Sequence, residues 1–290
     1  MSNEFKILDC SGAKLIADAI GFCPSKFCDF TPFVILMWQK MYKTEYILTD
    51  EELFLKLTLD GGVHYGVSTR NIKRSAAKLF NVTGKDCLDL SLITEGDLEI
   101  LKSEFDVSNI YTREEWWDYL YSHEDLSTLS GKRFAGQRNH INKFKATYTD
   151  WCYERVNEDN LSEVKAFYNE LTKDSDGLSA SASFEMHMVK DYLNSGYHCF
   201  PTEGGVIKAG GEIVSFAFGE VVDGTLFVHV EKARRDVQGA YQMIVKEFAS
   251  HTPAEFINRE EDMGIEGLKR SKESYHPIEK LKKYSVTIHR

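Results

Sequence analysis

Runs of alternating apolar residues and stretches with apolar residues every three or four positions divide the chain into two halves of similar order. In the first, "EYILTDEELFLKLTL" (Glu45–Leu59), rich in aromatic and β-branched residues, reads as a strand after a turn. The preceding "CDFTPFVILMWQKMY" (Cys28–Tyr42) has the same composition and is predicted to be a strand as well. "DGGVHYGVST" gives a further turn and strand. In "TRNIKRSAAKLFNVTG", Ile72, Ala76, Leu79 and Phe80 share one helical face and Gly84 closes the helix. "CLDLSLIT" alternates as a strand, and "EGDLEILKSEF" is a helix whose first turn carries Glu95 and Asp97, where acids suit the helix dipole.

The second half restarts this order. "DWCYERVNEDNLSEVKAFYNELTK" predicts a strand, an Asn160 cap and a helix, and "FEMHMVKDYLNSG" predicts a second helix. Three strands follow, "GGVIKA", "GEIVSFAFGEVV" and "GTLFVHVEKA", with "AGG" and "VDG" as hairpin turns. "QGAYQMIVKEFASH" is a helix, "EFINREE" a strand, "GIEGLKRSKESYH" a helix and "KKYSVTIH" a last strand. The fold class is therefore mixed α/β (α+β), as two similar units spanning 1–146 and 147–290. The join is a helix capped by Ser130 and running to about Phe144.

Charge changes the reading of that joining helix. From Leu126 to Thr149 there is no acid, while Lys132, Arg133, Arg138, Lys143 and Lys145 make the window +5 in a chain of net charge −10. Such a block is a local positive field that distant acids do not cancel beyond about 8 Å at physiological salt. It suits an anion such as a phosphate group, with Arg133, Arg138, Asn139, Asn142 and Lys143 as the candidate anion-binding residues. The bland alternative is a helix whose cations pair with neighbouring acids. The acidic total limits any tRNA contact to a small one, such as the acceptor end.

Six cysteines are scattered, and the one close pair, Cys23 and Cys28, lacks the second pair of a zinc spacing. No metal is expected. The longest apolar run, "FVILMW", is far short of the roughly 20 residues that cross a bilayer, and no signal peptide is visible at the N-terminus. A cytoplasmic protein is the expectation, and nothing in the sequence sets its oligomeric state.

Three segments, "YLYSHEDLSTLSGKRFAGQRNHINKFK", "FVHVEKA" with "QGAYQMIVKEFA", and "FINREEDMGIEGLKRSKESYHP", together resemble the phosphatidylglycerol lysyltransferase C-terminal domain family. The resemblance implies two GNAT acyltransferase-like units in tandem, similar to the Fem-type aminoacyltransferases. It also implies transfer of an amino acid from aminoacyl-tRNA to a lipid, peptide, or other amine or hydroxyl acceptor. Aminoacyl-tRNA would be the donor and no cofactor would be required. The membrane segment that precedes this domain in lipid-modifying members is not in this chain, so a lipid acceptor is less expected. In the coenzyme A-binding motif of GNAT enzymes, Asp236 stands at the Gln/Arg position and Tyr241 at the second glycine. Acetyl-CoA or another acyl-CoA is thus the less expected donor, because an acid repels its pyrophosphate.

In a GNAT-type unit the chemistry sits where "TLFVHVEKA" and "EFINREED" splay apart. On the first strand His229 and Glu231 share a face and are the candidate base; Tyr275 is a candidate general acid. Asn258 and Glu260 share a face of the second strand, and with Arg259 and Arg270 they are the candidate acceptor-binding residues. His229 and Glu231 form an H-x-E, but no P-C-x-x-C follows. Two rivals stand beside this reading: a coenzyme A-dependent N-acyltransferase of a small amine, and a non-catalytic ligand-binding protein.

Overall fold

The computed structural model describes residues 4–19, 23–173, 180–196 and 199–290. Its elements are β1 (Lys6–Ile7), α1 (Cys10–Ala19), α2 (Pro32–Tyr42), β2 (Glu45–Leu48), β3 (Leu53–Leu59) and β4 (Gly62–Ser68). There follow α3 (Ile72–Thr83), β5 (Cys87–Ile93), α4 (Glu95–Glu104), β6 (Asp106–Thr112), β7 (Asp118–Ser122), α5 (His123–Thr128) and α6 (Ala135–Thr147). Then come β8 (Cys152–Arg155), α7 (Leu161–Leu171), α8 (Ala180–Asp191), β9 (Glu203–Ala209), β10 (Glu212–Val222) and β11 (Thr225–Ala233). The chain ends with α9 (Ala240–His251), β12 (Phe256–Asn258), α10 (Glu266–Glu273), β13 (Glu279–Leu281) and β14 (Tyr284–His289).

Two seven-stranded sheets result, ordered β1-β2-β3-β4-β5-β14-β6 and β13-β7-β12-β11-β10-β9-β8. The chain forms two compact units: Met1–Leu120 with Glu260–Lys272 and Glu279–Arg290, and Tyr121–Arg259 with Glu273–Ile278. This division differs from the 1–146 and 147–290 split. The basic helix α6 belongs to the second unit, and the C-terminal strand β14 returns to the first, between β5 and β6. A hydrophobic pattern shows which face of a strand is buried, but not which sheet accepts it.

Each unit repeats one arrangement. In the first, the β3–β4 hairpin is followed by α3 and by β5, which runs parallel to β4. In the second, the β10–β11 hairpin is followed by α9 and by β12, parallel to β11. That is the GNAT-type order, present twice, in mixed and mainly antiparallel sheets flanked by helices. The hairpin turns use the backbone that the sequence signals: Asp223 and Gly224 both have positive φ (48° and 70°), as a type I′ turn requires.

The core of the first unit is built on α3, whose Ile72, Ala76, Leu79 and Phe80 pack with Leu88, Leu90, Val286 and Ile288. In the second unit α9 buries Ala240, Met243, Ile244 and Phe248. On β10, Phe216 meets Tyr168 edge-on at 5.8 Å.

The predicted strand at Cys28–Tyr42 is a helix instead, α2. Pro32 at its first turn presets a helical φ, and the lost N–H is one that a helix start does not use. A continuous apolar run carries no period, so composition alone pointed to the wrong element. Ser130 does not cap the basic helix: a 3-10 turn, Lys132–Phe134, precedes it and α6 begins at Ala135.

Candidate active site

The site of the second unit follows from where β11 and β12 part. They pair in parallel at Thr225 with Phe256, Leu226 with Ile257 and Phe227 with Asn258. β12 ends there, while β11 continues to Ala233. Glu231 lies on the part of β11 that has left its partner, and Arg259 is the first residue after β12.

These two residues meet across the opening. Arg259 donates from Nε (3.1 Å) and Nη2 (2.5 Å) to the same oxygen of Glu231, Oε2. Both side chains are less than a tenth exposed. Glu231 Oε1 has no hydrogen-bond partner among the described residues. Burial opposes charge on Arg259, but the adjacent Glu231 carboxylate outweighs it and holds the guanidinium more firmly protonated than usual. The guanidinium lies 4.8 Å from the ring of Tyr275 and 5.8 Å from that of Tyr121.

Glu231 also lines a cavity of about 1340 Å³, together with Lys232, Arg234, Arg235 and Tyr241 from the strand and the following loop and helix. Lys232 pairs with Glu185 of α8 at 2.9 Å. Arg234 pairs with Asp236 at 2.6 Å and with Glu212 at 3.4 Å. The acid at the motif position is thus neutralised by its neighbour, which weakens the electrostatic objection to a pyrophosphate there. Arg235 is exposed and has no partner among the described residues. The Gly239 φ of 89° and its tight setting have a packing cause: a Cβ there would stand 2.5 Å from the carbonyl oxygen of His140.

The sequence-selected residues separate into several groups. Glu231 and Arg259 are brought together, with Tyr275 beside them. Burial pushes the Tyr275 hydroxyl far above the usual phenol range, and it has no hydrogen-bond partner among the described residues. His229 does not line the cavity: its side chain is 1% exposed, and Nε2 lies 3.0 Å from Glu220 Oε1. Asn258 is fully buried. Glu260 is not on a strand; its φ is 59° and its carbonyl accepts the N–H of Tyr119. Arg270 is exposed on α10, 3.7 Å from Glu266.

The basic block also divides. Arg138 Nη1 donates to the carbonyls of Leu129 and Gly131, so it closes the turn before α6. Arg133 pairs with Asp125 at 2.6 Å, and Lys145 lies 4.5 Å over the Trp151 ring. Lys132, Asn139, Asn142 and Lys143 are exposed and have no side-chain partner among the described residues. Sequence reasoning missed Lys232, Arg234 and Arg235 as cavity residues, although "EKARRDVQGA" displays their charge. Glu185 had no local signal, being 47 positions from Lys232.

The sequence pattern of the phosphatidylglycerol lysyltransferase C-terminal family matches residues 91–287. The chain belongs to this family. A conserved protein of unknown function from Bacteroides thetaiotaomicron is 29% identical, with a TM-score of 0.86 and 99% of each chain covered. L-PGS from Bacillus licheniformis is 14% identical with a TM-score of 0.65, covering 98% of this chain and 93% of that one, which shows a common fold. An uncharacterized protein of Mycoplasmoides gallisepticum is 26% identical over 202 residues, 68% of this chain and 63% of its own length. The chain thus spans less than two thirds of that relative's length. Among its described residues, no helix is long and apolar enough to cross a membrane.

Proposed function

We propose that this chain is an aminoacyltransferase that takes an aminoacyl group from aminoacyl-tRNA and passes it to an amine or hydroxyl acceptor. The observation that carries the reading is the clamped Glu231 at the opened edge of β11, on the wall of a cavity of about 1340 Å³. Arg259 holds one carboxylate oxygen, which leaves Oε1 to accept a proton from the acceptor. The acceptor nitrogen or oxygen bonds to the ester carbonyl carbon, and the bond to the ribose oxygen breaks. The proton taken by Glu231 goes to that leaving oxygen, so the carboxylate is regenerated. Arg235 supplies a cation for the donor's phosphate side. Lys132, in the turn before α6, and Asn139, Asn142 and Lys143, exposed on α6, supply the remaining anion-binding groups.

The test is transfer of radiolabel from charged total tRNA to an amine panel, run beside labelled acetyl-CoA. Label leaving tRNA, reduced about a hundredfold by Glu231→Gln and weakened by Lys132→Glu with Lys143→Glu in a salt-dependent way, supports the proposal. Consumption of acetyl-CoA with no use of charged tRNA would replace it with coenzyme A chemistry, which the Arg234–Asp236 pairing makes electrostatically tenable.

A further inference from the structure

The first unit contains its own cavity, of about 480 Å³, which the proposed transfer does not use. Trp38 and Tyr42 of α2 line one part of it, and Leu55 and Leu57 of β3 another. Asp29, Glu261 and Lys283 also line it. Trp38 and Tyr42 stand one helical turn apart with ring centroids 6.0 Å apart.

The charges here do not balance. Lys283 is 5% exposed, and its Nζ lies 2.7 Å from Asp118 Oδ1 and 2.5 Å from Asp29 Oδ2. Glu261 is left out of this arrangement. Its Oε2 is 3.8 Å from Lys283 Nζ and 3.7 Å from Cys28 Sγ, and its carboxylate has no closer partner among the described residues. Glu115 is a further wall carboxylate, while Asp60, also on the wall, lies 3.6 Å from Arg113 Nη2. Burial, reinforced by the nearby acids and only partly offset by Lys283, pushes the Glu261 carboxyl up to about 7. Around Lys283 the cluster sets three carboxylates, Asp29, Asp118 and Glu261, against one ammonium.

An anion does not fit, because the wall already carries four carboxylates against one ammonium. A metal ion fits poorly as well. Cys28, Asp29 and Asp118 hold their donor atoms within 4.8 Å of one another, but the Lys283 ammonium already sits on both carboxylates. Aromatic and aliphatic walls beside an unsatisfied carboxylate suit a cation with a hydrocarbon body. We propose that this cavity binds an alkyl ammonium, an amine or diamine whose charged end meets Glu261 and whose stem lies against Trp38, Leu55 and Leu57. The site is independent of the transfer reaction and is read out by binding alone.

Titration calorimetry of the full chain with 1,5-diaminopentane, with 1,5-pentanediol as the uncharged control, tests it. Saturable binding of the diamine without binding of the diol is expected, weakened at least tenfold by Glu261→Gln and abolished by the cavity-filling Leu57→Trp. Glu231→Gln, in the other unit's cavity, leaves this binding unchanged. Thermal melts confirm that each variant is folded, and Leu57→Trp keeps the test decisive if Glu261→Gln is not. Absence of saturable diamine binding, equal binding of the diol, or an equal loss with Glu231→Gln overturns the proposal. So does binding of zinc or magnesium that Glu261→Gln abolishes while the diamine does not bind.

Discussion

Arg259 spends two of its nitrogens on a single oxygen of Glu231, so one buried carboxylate is both neutralised and left with a free oxygen. Removing only the arginine strands a carboxylate at low exposure. Arg259→Ala is expected to cost about 3–5 kcal/mol in urea denaturation. The double variant Arg259→Leu with Glu231→Leu is expected to regain most of that loss while having no transfer activity. If Arg259→Ala is as costly in a Glu231→Leu background as in the wild type, the pair is not the source of the loss.

His229 and Glu220 form a buried pair away from the cavity lining. His229→Gln, which can still donate to Glu220, is expected to leave the transfer rate within about twofold. His229→Phe leaves Glu220 without that partner and is expected to lose about 1–3 kcal/mol of stability. A hundredfold loss of rate in a folded His229→Gln protein would give His229 a chemical role instead.

Glu261 gives the first unit a pH signature. Its carboxyl is raised from 4.5 to about 7, chiefly by burial, with Asp118, Glu260 and Asp29 raising it further and Lys283 opposing. The folded chain therefore holds this proton more tightly than the unfolded chain between about pH 4.5 and 7. This group's contribution to stability falls as pH rises through that window. Asp29, also raised mainly by burial, acts in the same direction. The melting temperature of Glu261→Gln, compared with wild type at pH 5 and pH 8, is expected to gain on the wild type at the higher pH. A constant difference between the two proteins would remove Glu261 from the account.

Gly239 combines a φ of 89° with a Cβ position 2.5 Å from the His140 carbonyl oxygen and 2.8 Å from Phe144 Cβ. Gly239→Ala is expected to destabilise the chain by about 1–3 kcal/mol, because α6 must shift and the left-handed backbone is strained. Chemical denaturation reads this directly, and an unchanged midpoint would mean that the α6 contact yields at no cost.

Much of the fold was legible because alternation and helical spacing are local. The three strands from Glu203 to Ala233 and the α3 and α9 helices follow from residues within a dozen positions of one another. The opened edge of β11 was expected from the family resemblance; Glu231 was read beside His229 as a candidate base and Arg259 as an acceptor-binding residue, but their pairing was not legible. What stayed hidden depends on distance along the chain. The Asp118 carboxylate reaches the backbone of Cys28 across 90 positions, and no short motif encodes that. β6 and β7 were not predicted as strands, since "DVSNIYT" and "DYLYS" lack the apolar alternation of a half-buried strand. The role of Arg138 was hidden for another reason. A cation in a basic block reads the same whether it faces an anion or closes two carbonyls of its own chain.

The position of β14 sets an order of events during synthesis. This strand lies far along the chain from its neighbours, yet it hydrogen-bonds to both β5 and β6. Roughly 190 residues separate the end of β5 from the start of β14, which at about 5–20 residues per second is on the order of 10–40 s of translation. Throughout that interval the emerging chain exposes two strand edges awaiting the same partner. A chain interrupted before β14 would have a first unit that, though begun first, is the part left unfinished.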